Sequence, residues 1–121
     1  MLVNNAGIGV AQKSVCELSS DEWDYVIDVN VKGAFLCIRE AVKRMNYDSK
    51  SIRRTYSIIT ILSVHESIPQ PQSAPYSASK GGMETLTKTV ALEVADKRIR
   101  VNGIAPGAIA TDMNREILED E

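Results

Sequence analysis

Cysteine and histidine are scarce in this chain, and the scarcity closes several classes of function. There are two cysteines, Cys16 and Cys37, and one histidine, His65. Two widely separated thiols form neither a disulfide framework nor a metal-ligand spacing. They are expected as reduced thiols of a cytoplasmic protein, and His65 as a loop residue near a substrate mouth rather than a metal ligand. An excess of one charge is also missing. The formal net charge of −2 leaves no basic footprint for nucleic acid and no strong acidic field. No apolar run approaches the ~20 residues that span a bilayer. The N-terminus has no charged and apolar signal-peptide regions. Glycine is thin at the start: Gly7 and Gly9 are the only two before Gly33.

What is present suits a soluble globular protein. Hydrophobic residues make up 44% and charged residues 25% of the chain. At 121 residues the chain is at most one domain. Met1-Leu2-Val3-Asn4 is a short apolar run ending in Asn-Asn-Ala-Gly, which reads as a buried strand entering a loop. Ser19 with Glu22 forms a capping-box pattern, so a helix starts near Ser20. Apolar residues from Trp23 to Met45 recur at helical spacing. Asn46 to Thr55, with Lys50, Arg53 and Arg54, reads as a solvated loop. Tyr56 to Leu62 is a second buried strand. Ser63 to Pro75 is a proline-containing loop, and Tyr76 to Ala95 a second helix with a stripe of Met83, Leu86, Val90, Ala91 and Val94. Arg100 to Ala105 is a third strand, turned out at Pro106-Gly107, and Thr111 to Glu121 begins another helix. The order β-α-β-α-β predicts an α/β fold with parallel neighbouring strands and both helices on one face. Ligand then belongs at the carboxyl ends of the strands.

Tyr76-Ser77-Ala78-Ser79-Lys80 carries the chemistry, with Ser63 thirteen residues upstream. A tyrosine and a lysine four apart lie on one helix face. A free phenol titrates near ~10 and moves protons poorly at neutral pH. A cation held close favours the phenolate and brings the group toward the working range. A nearby serine hydroxyl can hold a carbonyl or alcohol oxygen against the phenol. Alone, Tyr-x-x-x-Lys also describes a plain surface pair; its neighbours decide otherwise.

Those neighbours are Asn4-Asn5-Ala6-Gly7, Asn30 within Asp28-Val29-Asn30-Val31-Lys32-Gly33, Arg100-Val101-Asn102, and Pro106-Gly107 with Thr111. In this order, with Ser63 and Tyr76-x-x-x-Lys80, the chain resembles the short-chain dehydrogenase/reductases from Leu2 to about Met113. More narrowly, Ser63-Val64-His65-Glu66, Ile68-Pro69 and Ser79-Lys80-Gly81-Gly82-Met83 look like bacterial-type glucose 1-dehydrogenases.

The resemblance implies a set of roles. Tyr76 is the general acid/base, Ser63 orients the substrate oxygen, and Lys80 lowers the barrier to phenolate formation and bonds the nicotinamide ribose. Asn30 interrupts its helix and helps hold a water linking the lysine to solvent. Asn4, Ala6 and Gly7 form a cofactor-proximal turn, which also serves to tie strands together. Pro106, Gly107, Ile109 and Thr111 approach the nicotinamide and phosphate; Thr111 also reads as a helix N-cap. The cofactor is NAD or NADP, and the substrate a sugar or secondary alcohol, with 3-oxoacyl groups as the alternative. No nucleic-acid or membrane partner is implied. A homo-oligomer is implied for the full-length family form, built on the two long helices, with Gly81-Gly82 permitting close helix packing.

The chain departs from the family in one large respect. The family opens with a strand, a TGxxxGxG turn and a helix whose N-terminus receives the pyrophosphate, and no such pattern occurs here. The expectation is a single partial Rossmann-like domain over residues 1–121, lacking the first three strands and an end. By itself it is expected to be marginally stable and to turn over negligibly. The competing reading is a fragment or interaction remnant without catalysis.

Overall fold

The computed structural model describes residues 1–48, 55–107 and 109. Its elements follow the β-α-β-α-β order. Strand β1 spans Leu2–Asn4 and helix α1 Ser20–Ile27; a π-helical turn at Asp28–Lys32 leads into α2, Gly33–Asp48. Strand β2 spans Tyr56–Ile61, a 3₁₀ turn Val64–Glu66, α3 Ala74–Glu93, a 3₁₀ turn Ala95–Lys97, and β3 Ile99–Ile104. The loop residues Lys50, Arg53 and Arg54, the helix expected from Thr111, and Thr111 itself lie outside the described residues.

The first helix starts where its capping box requires. Ser19 is the N-cap; its Oγ accepts from the Glu22 amide at 3.2 Å, and the Glu22 carboxylate accepts from the Ser19 amide at 3.0 Å. Lys13 donates to the same carboxylate at 2.5 Å. The Lys13 hydrogen bond and the Ser19 amide and hydroxyl together hold the Glu22 carboxyl down at about 2. The helix does not run evenly to its end. At Asp28–Lys32 it takes one extra residue per turn, and the Gly33 amide reaches back to the Asp28 carbonyl. Helix α3 begins at Ala74, two residues before the expected start. Pro75 is well placed there, because first-turn amides have no intrahelical acceptor.

The three strands are parallel in the order β1-β2-β3, with Leu2 opposite Ile58 and Ile58 opposite Val101. On one face Ile58, Ile99 and Val101 share a core with Ile38 and Met45 of α2, Val90 of α3 and Val94 just past its end. Both crossovers therefore cover the same face, as right-handed connections require. A smaller cluster of Ala34, Leu62 and Met83 closes the core toward the strand ends. Gly103 faces this side, and a Cβ there would come within 2.4 Å of Leu62 Cδ1. The opposite sheet face carries Val3, Ile59, Ile61 and Ile104. Val3 is 46% and Ile104 52% exposed, so this apolar surface has no cover among the described residues.

Two outcomes are expected. The chain in solution binds a hydrophobic dye and sediments above its monomer mass, measured by fluorescence and ultracentrifugation, because an uncovered apolar face associates. Gly103→Ala lowers stability by about 1–3 kcal/mol through overpacking against Leu62. In denaturant titrations the double variant with Leu62→Ala loses less than the sum of the two singles.

Candidate active site

Every strand ends in a candidate residue: Asn4 closes β1, Ser63 follows β2 by two positions, and Pro106 follows β3 by two. Main-chain bonds continue past β2 and β3. The Leu62 amide donates to Ile104 O at 2.7 Å and the Val64 amide to Pro106 O at 3.1 Å. Ser63 and Pro106-Gly107 are thus brought side by side. Ile109 is exposed, and Thr111 lies outside the described residues.

Helix α3 delivers the tyrosine and lysine. Tyr76 sits half-buried in its first turn, and Lys80, one turn on, is buried at 4% exposure. The Lys80 ammonium lies 5.6 Å from the centre of the Tyr76 ring and donates to Ile61 O, at the end of β2, at 2.9 Å. An ammonium has three donors, and Ile61 takes one. Burial pushes Lys80 below the ordinary lysine range, and the Glu66 carboxylate acts in the opposite direction.

Asn30 is fully buried and makes three hydrogen bonds. Its Oδ1 accepts from the Ile8 amide at 2.8 Å; its Nδ2 donates to Ile8 O at 2.9 Å and to Ser79 Oγ at 2.9 Å. Ser79 Oγ in turn donates to Tyr76 O at 2.7 Å. The side chain serves as a strand partner for one residue of the Asn5–Gly9 stretch and joins it to α3. The π turn supplies the rotation that aims it there, in keeping with such turns at functional sites. Gly7 follows from this closeness. A Cβ on it would stand 3.3 Å from Lys80 Nζ and 3.7 Å from Asn30 Oδ1. Asn4 is buried and its Nδ2 has no protein partner, while Ala6 is exposed.

Ser63 is extended and caps the Val64–Glu66 turn, its Oγ accepting from the His65 amide at 3.2 Å. The hydroxyl hydrogen is left to donate elsewhere. The turn packs on α3. The His65 ring meets Tyr76 edge to face, 6.3 Å between centres, and Glu66 O lies 3.9 Å from where a Cβ on Gly81 would be. Gly81 thus gives room to this turn, while a Cβ on Gly82 would meet nothing within 4 Å. His65 Nδ1 is 3.0 Å from Ile68 O. A carbonyl only accepts, so Nδ1 is the donor in this contact.

The structure thus gathers Asn4, Gly7, Asn30, Ser63, Tyr76, Lys80 and Pro106 around one end of the sheet. Ile8, Ser79 and Glu66 join them unforeseen. Two had readable signals: Ser63-x-x-Glu66 is a capping-box pattern, and Ser79 stands three residues after Tyr76 on the same helix face. Ile8 contributes only main chain and had none. Among the described residues no group of three or more His, Cys, Asp or Glu could hold a metal, and no helix is long and apolar enough to cross a membrane.

Asn30→Ala should strand both main-chain polar groups of Ile8. The expected result is a loss of about 2–4 kcal/mol in denaturant unfolding, with the Ile8 amide losing its protection against hydrogen exchange.

The whole chain, residues 1–121, matches the short chain dehydrogenase family. It is 43% identical over 121 residues to glucose 1-dehydrogenase 2 of Bacillus subtilis (strain 168), covering 100% of this chain and 45% of that protein. It is 51% identical over 118 residues to 3beta-hydroxysteroid dehydrogenase 1 of Eggerthella lenta, covering 98% of this chain and 43% of that protein. A crystal structure of a gluconate 5-dehydrogenase from Burkholderia cenocepacia J2315, in complex with NADP and tartrate, superimposes with a TM-score of 0.89 at 34% identity; 98% of this chain covers 44% of that one. The chain spans less than half the length of these relatives. With its parallel α/β sheet and its match from first residue to last, this chain belongs to the short chain dehydrogenase family.

Proposed function

We propose that this chain carries the proton-handling side of an NAD(P)-dependent oxidoreductase, which interconverts a secondary alcohol or sugar hemiacetal with its ketone or lactone. The observation that carries the reading is the buried Lys80 ammonium beside the Tyr76 ring. In the oxidising direction the Tyr76 oxygen takes the hydroxyl proton of the substrate. In the reducing direction it returns that proton to the carbonyl oxygen. The Ser63 hydroxyl donates to the same substrate oxygen and fixes it. The Lys80 charge stands beside the Tyr76 ring, and Asn30 holds the floor of the site through Ile8 and Ser79.

The donor set fits the nicotinamide riboside end of a dinucleotide. Lys80 has donors beyond the one given to Ile61, and Gly7 leaves the space above the ammonium without a side chain. Asn4, Ala6, Pro106, Gly107, Ile109 and Thr111 are the further candidates for holding it. When bound, the nicotinamide accepts or supplies the hydride. For the pyrophosphate the sequence has no Gly-rich strand-turn-helix. Residues 1–121 are accordingly proposed as part of one NAD(P)-binding Rossmann-like domain of a cytoplasmic homo-oligomer.

A glucose 1-dehydrogenase-like substrate rests on the Ser63-to-Pro69 and Ser79-to-Met83 segments and on the Bacillus subtilis relative. The Eggerthella lenta relative is named for a steroid, so the common ground is a secondary alcohol, with 3-oxoacyl groups as the alternative. A second reading, a segment without catalysis of its own, is favoured by the missing Gly-rich turn.

The test is nicotinamide absorbance with NAD and NADP against glucose, simple secondary alcohols, hydroxysteroids and 3-oxoacyl esters. The 121-residue chain alone is expected to turn over negligibly. Preceded by a segment bearing a Gly-rich turn, it should show saturable activity that Tyr76→Phe lowers by about 10²–10⁴. Full activity in that variant would remove Tyr76 from the mechanism.

A further inference from the structure

Lys13 lies between β1 and α1 and takes no part in the chemistry above, yet it ties three segments together. Its ammonium, half-buried, pairs with Glu22 Oε1 in the first turn of α1 at 2.5 Å. Its amide donates to Gln72 O, just before α3, at 3.3 Å. The residues between Lys13 and Glu22 are themselves locked. The Ser14 hydroxyl donates to the Glu17 carboxylate at 2.7 Å, and the Leu18 amide to Ser14 O at 3.2 Å. The Ser19 amide and hydroxyl occupy the other oxygen of Glu22, at 3.0 and 2.8 Å. Residue 13 is therefore fixed on α1, and its amide is presented to the turn that enters α3.

That turn needs holding. Gln72 follows Pro71 and has a φ of 62°, in the left-handed region that favours glycine. Ser73, the N-cap of α3, makes no capping hydrogen bond with its side chain; its hydroxyl donates to Gln70 O at 2.7 Å instead. The first turn of α3 thus starts from a strained residue and without a side-chain cap, and this is the turn that carries Tyr76. The stretch leading to Lys13 passes Tyr76 as well: a Cβ on Gly9 would stand 4.0 Å from Tyr76 Cδ2. It is pinned at Ile8 by Asn30 and at Lys13 by Gln72 and Glu22.

We propose that Lys13 is a positioning residue of this site, joining α1 to the Gln72 turn and so fixing residues 9–12 as a wall beside Tyr76. Its two contacts do separate jobs. The main-chain bond holds the entry of α3, and the ion pair keeps that main chain in place. A methionine at this position keeps the apolar stem and releases Glu22; an arginine keeps the charge. The inference rests on the proposed function only in calling Tyr76 a site residue; the contacts themselves are independent of turnover.

The experiment is proton NMR with amide exchange on the full chain. In the unmodified chain the Lys13 amide is expected to be protected, and a Gly9 α-proton to carry a ring-current shift that Tyr76→Leu abolishes. In Lys13→Met the amide of residue 13 exchanges about fivefold faster and the Gly9 shift shrinks, while the interior amide of Val26 in α1 keeps its rate. Lys13→Arg retains both features. An unprotected Lys13 amide in the unmodified chain overturns the proposal, whether or not Lys13→Met folds. An unchanged exchange rate or an unchanged Gly9 shift in folded Lys13→Met does the same. Equal loss of protection at Val26 also overturns it, because Lys13 would then be a general stabiliser of α1. No catalysis is measured, so failure of the oxidoreductase reading would appear in the Tyr76→Phe assay and leave these signals untouched.

Discussion

Three hydrogen bonds from the buried Asn30 side chain hold the site together. An amide that accepts from and donates to the same residue stands in for a neighbouring strand. Here it captures Ile8, in a stretch without regular structure of its own. Its remaining donor reaches Ser79 and so joins that stretch to the helix bearing Tyr76 and Lys80. Gly7 is then pressed against the lysine ammonium, where a larger residue would crowd it. The π turn at Asp28–Lys32 is the structural requirement for this, since the extra residue turns Asn30 inward. A regular helix would place the same residue elsewhere around its axis.

The electrostatics follow from that packing. Lys80 is buried because the Gly7 stretch and the end of β2 close over it, and burial opposes its charge. A carbonyl dipole at Ile61 and the charge of Glu66 stand against that opposition. In the proposed reaction this balance suits a weakly solvated cation held beside the phenol. Ser63 is prepared by a separate device. One of its oxygen lone pairs is taken by the His65 amide, and the hydroxyl hydrogen remains to donate elsewhere.

Relatives named for a sugar and for a steroid share the segment at similar identity. In the proposed reaction this segment supplies the groups that move a proton at an oxygen, which both kinds of alcohol need. Recognition of the remainder of a substrate belongs to other surfaces. His65, whose ring meets Tyr76 edge to face, stands beside the proposed reacting group.

Short apolar and β-branched runs and helical spacing were enough to locate the strands and the long helices, because burial leaves its mark in the residue order. The capping box at Ser19 located the first helix to the residue. Tyr76, Lys80, Ser63 and Asn30 were legible as motif residues, since proton transfer demands particular functional groups at particular separations. Their environment was not legible. That Asn30 bonds the main chain of Ile8 and that Gly81 makes room for the Glu66 turn are matters of approach between segments distant in the chain. Main-chain partners leave no mark in side-chain identity, and a glutamate reads as a solvated charge until a helix is laid over it. The sequence by itself determined which groups exist and in what order they come. Only the tertiary structure decided which are dry and which charge each one meets, because desolvation and Coulomb attraction depend on distances that residue order does not encode.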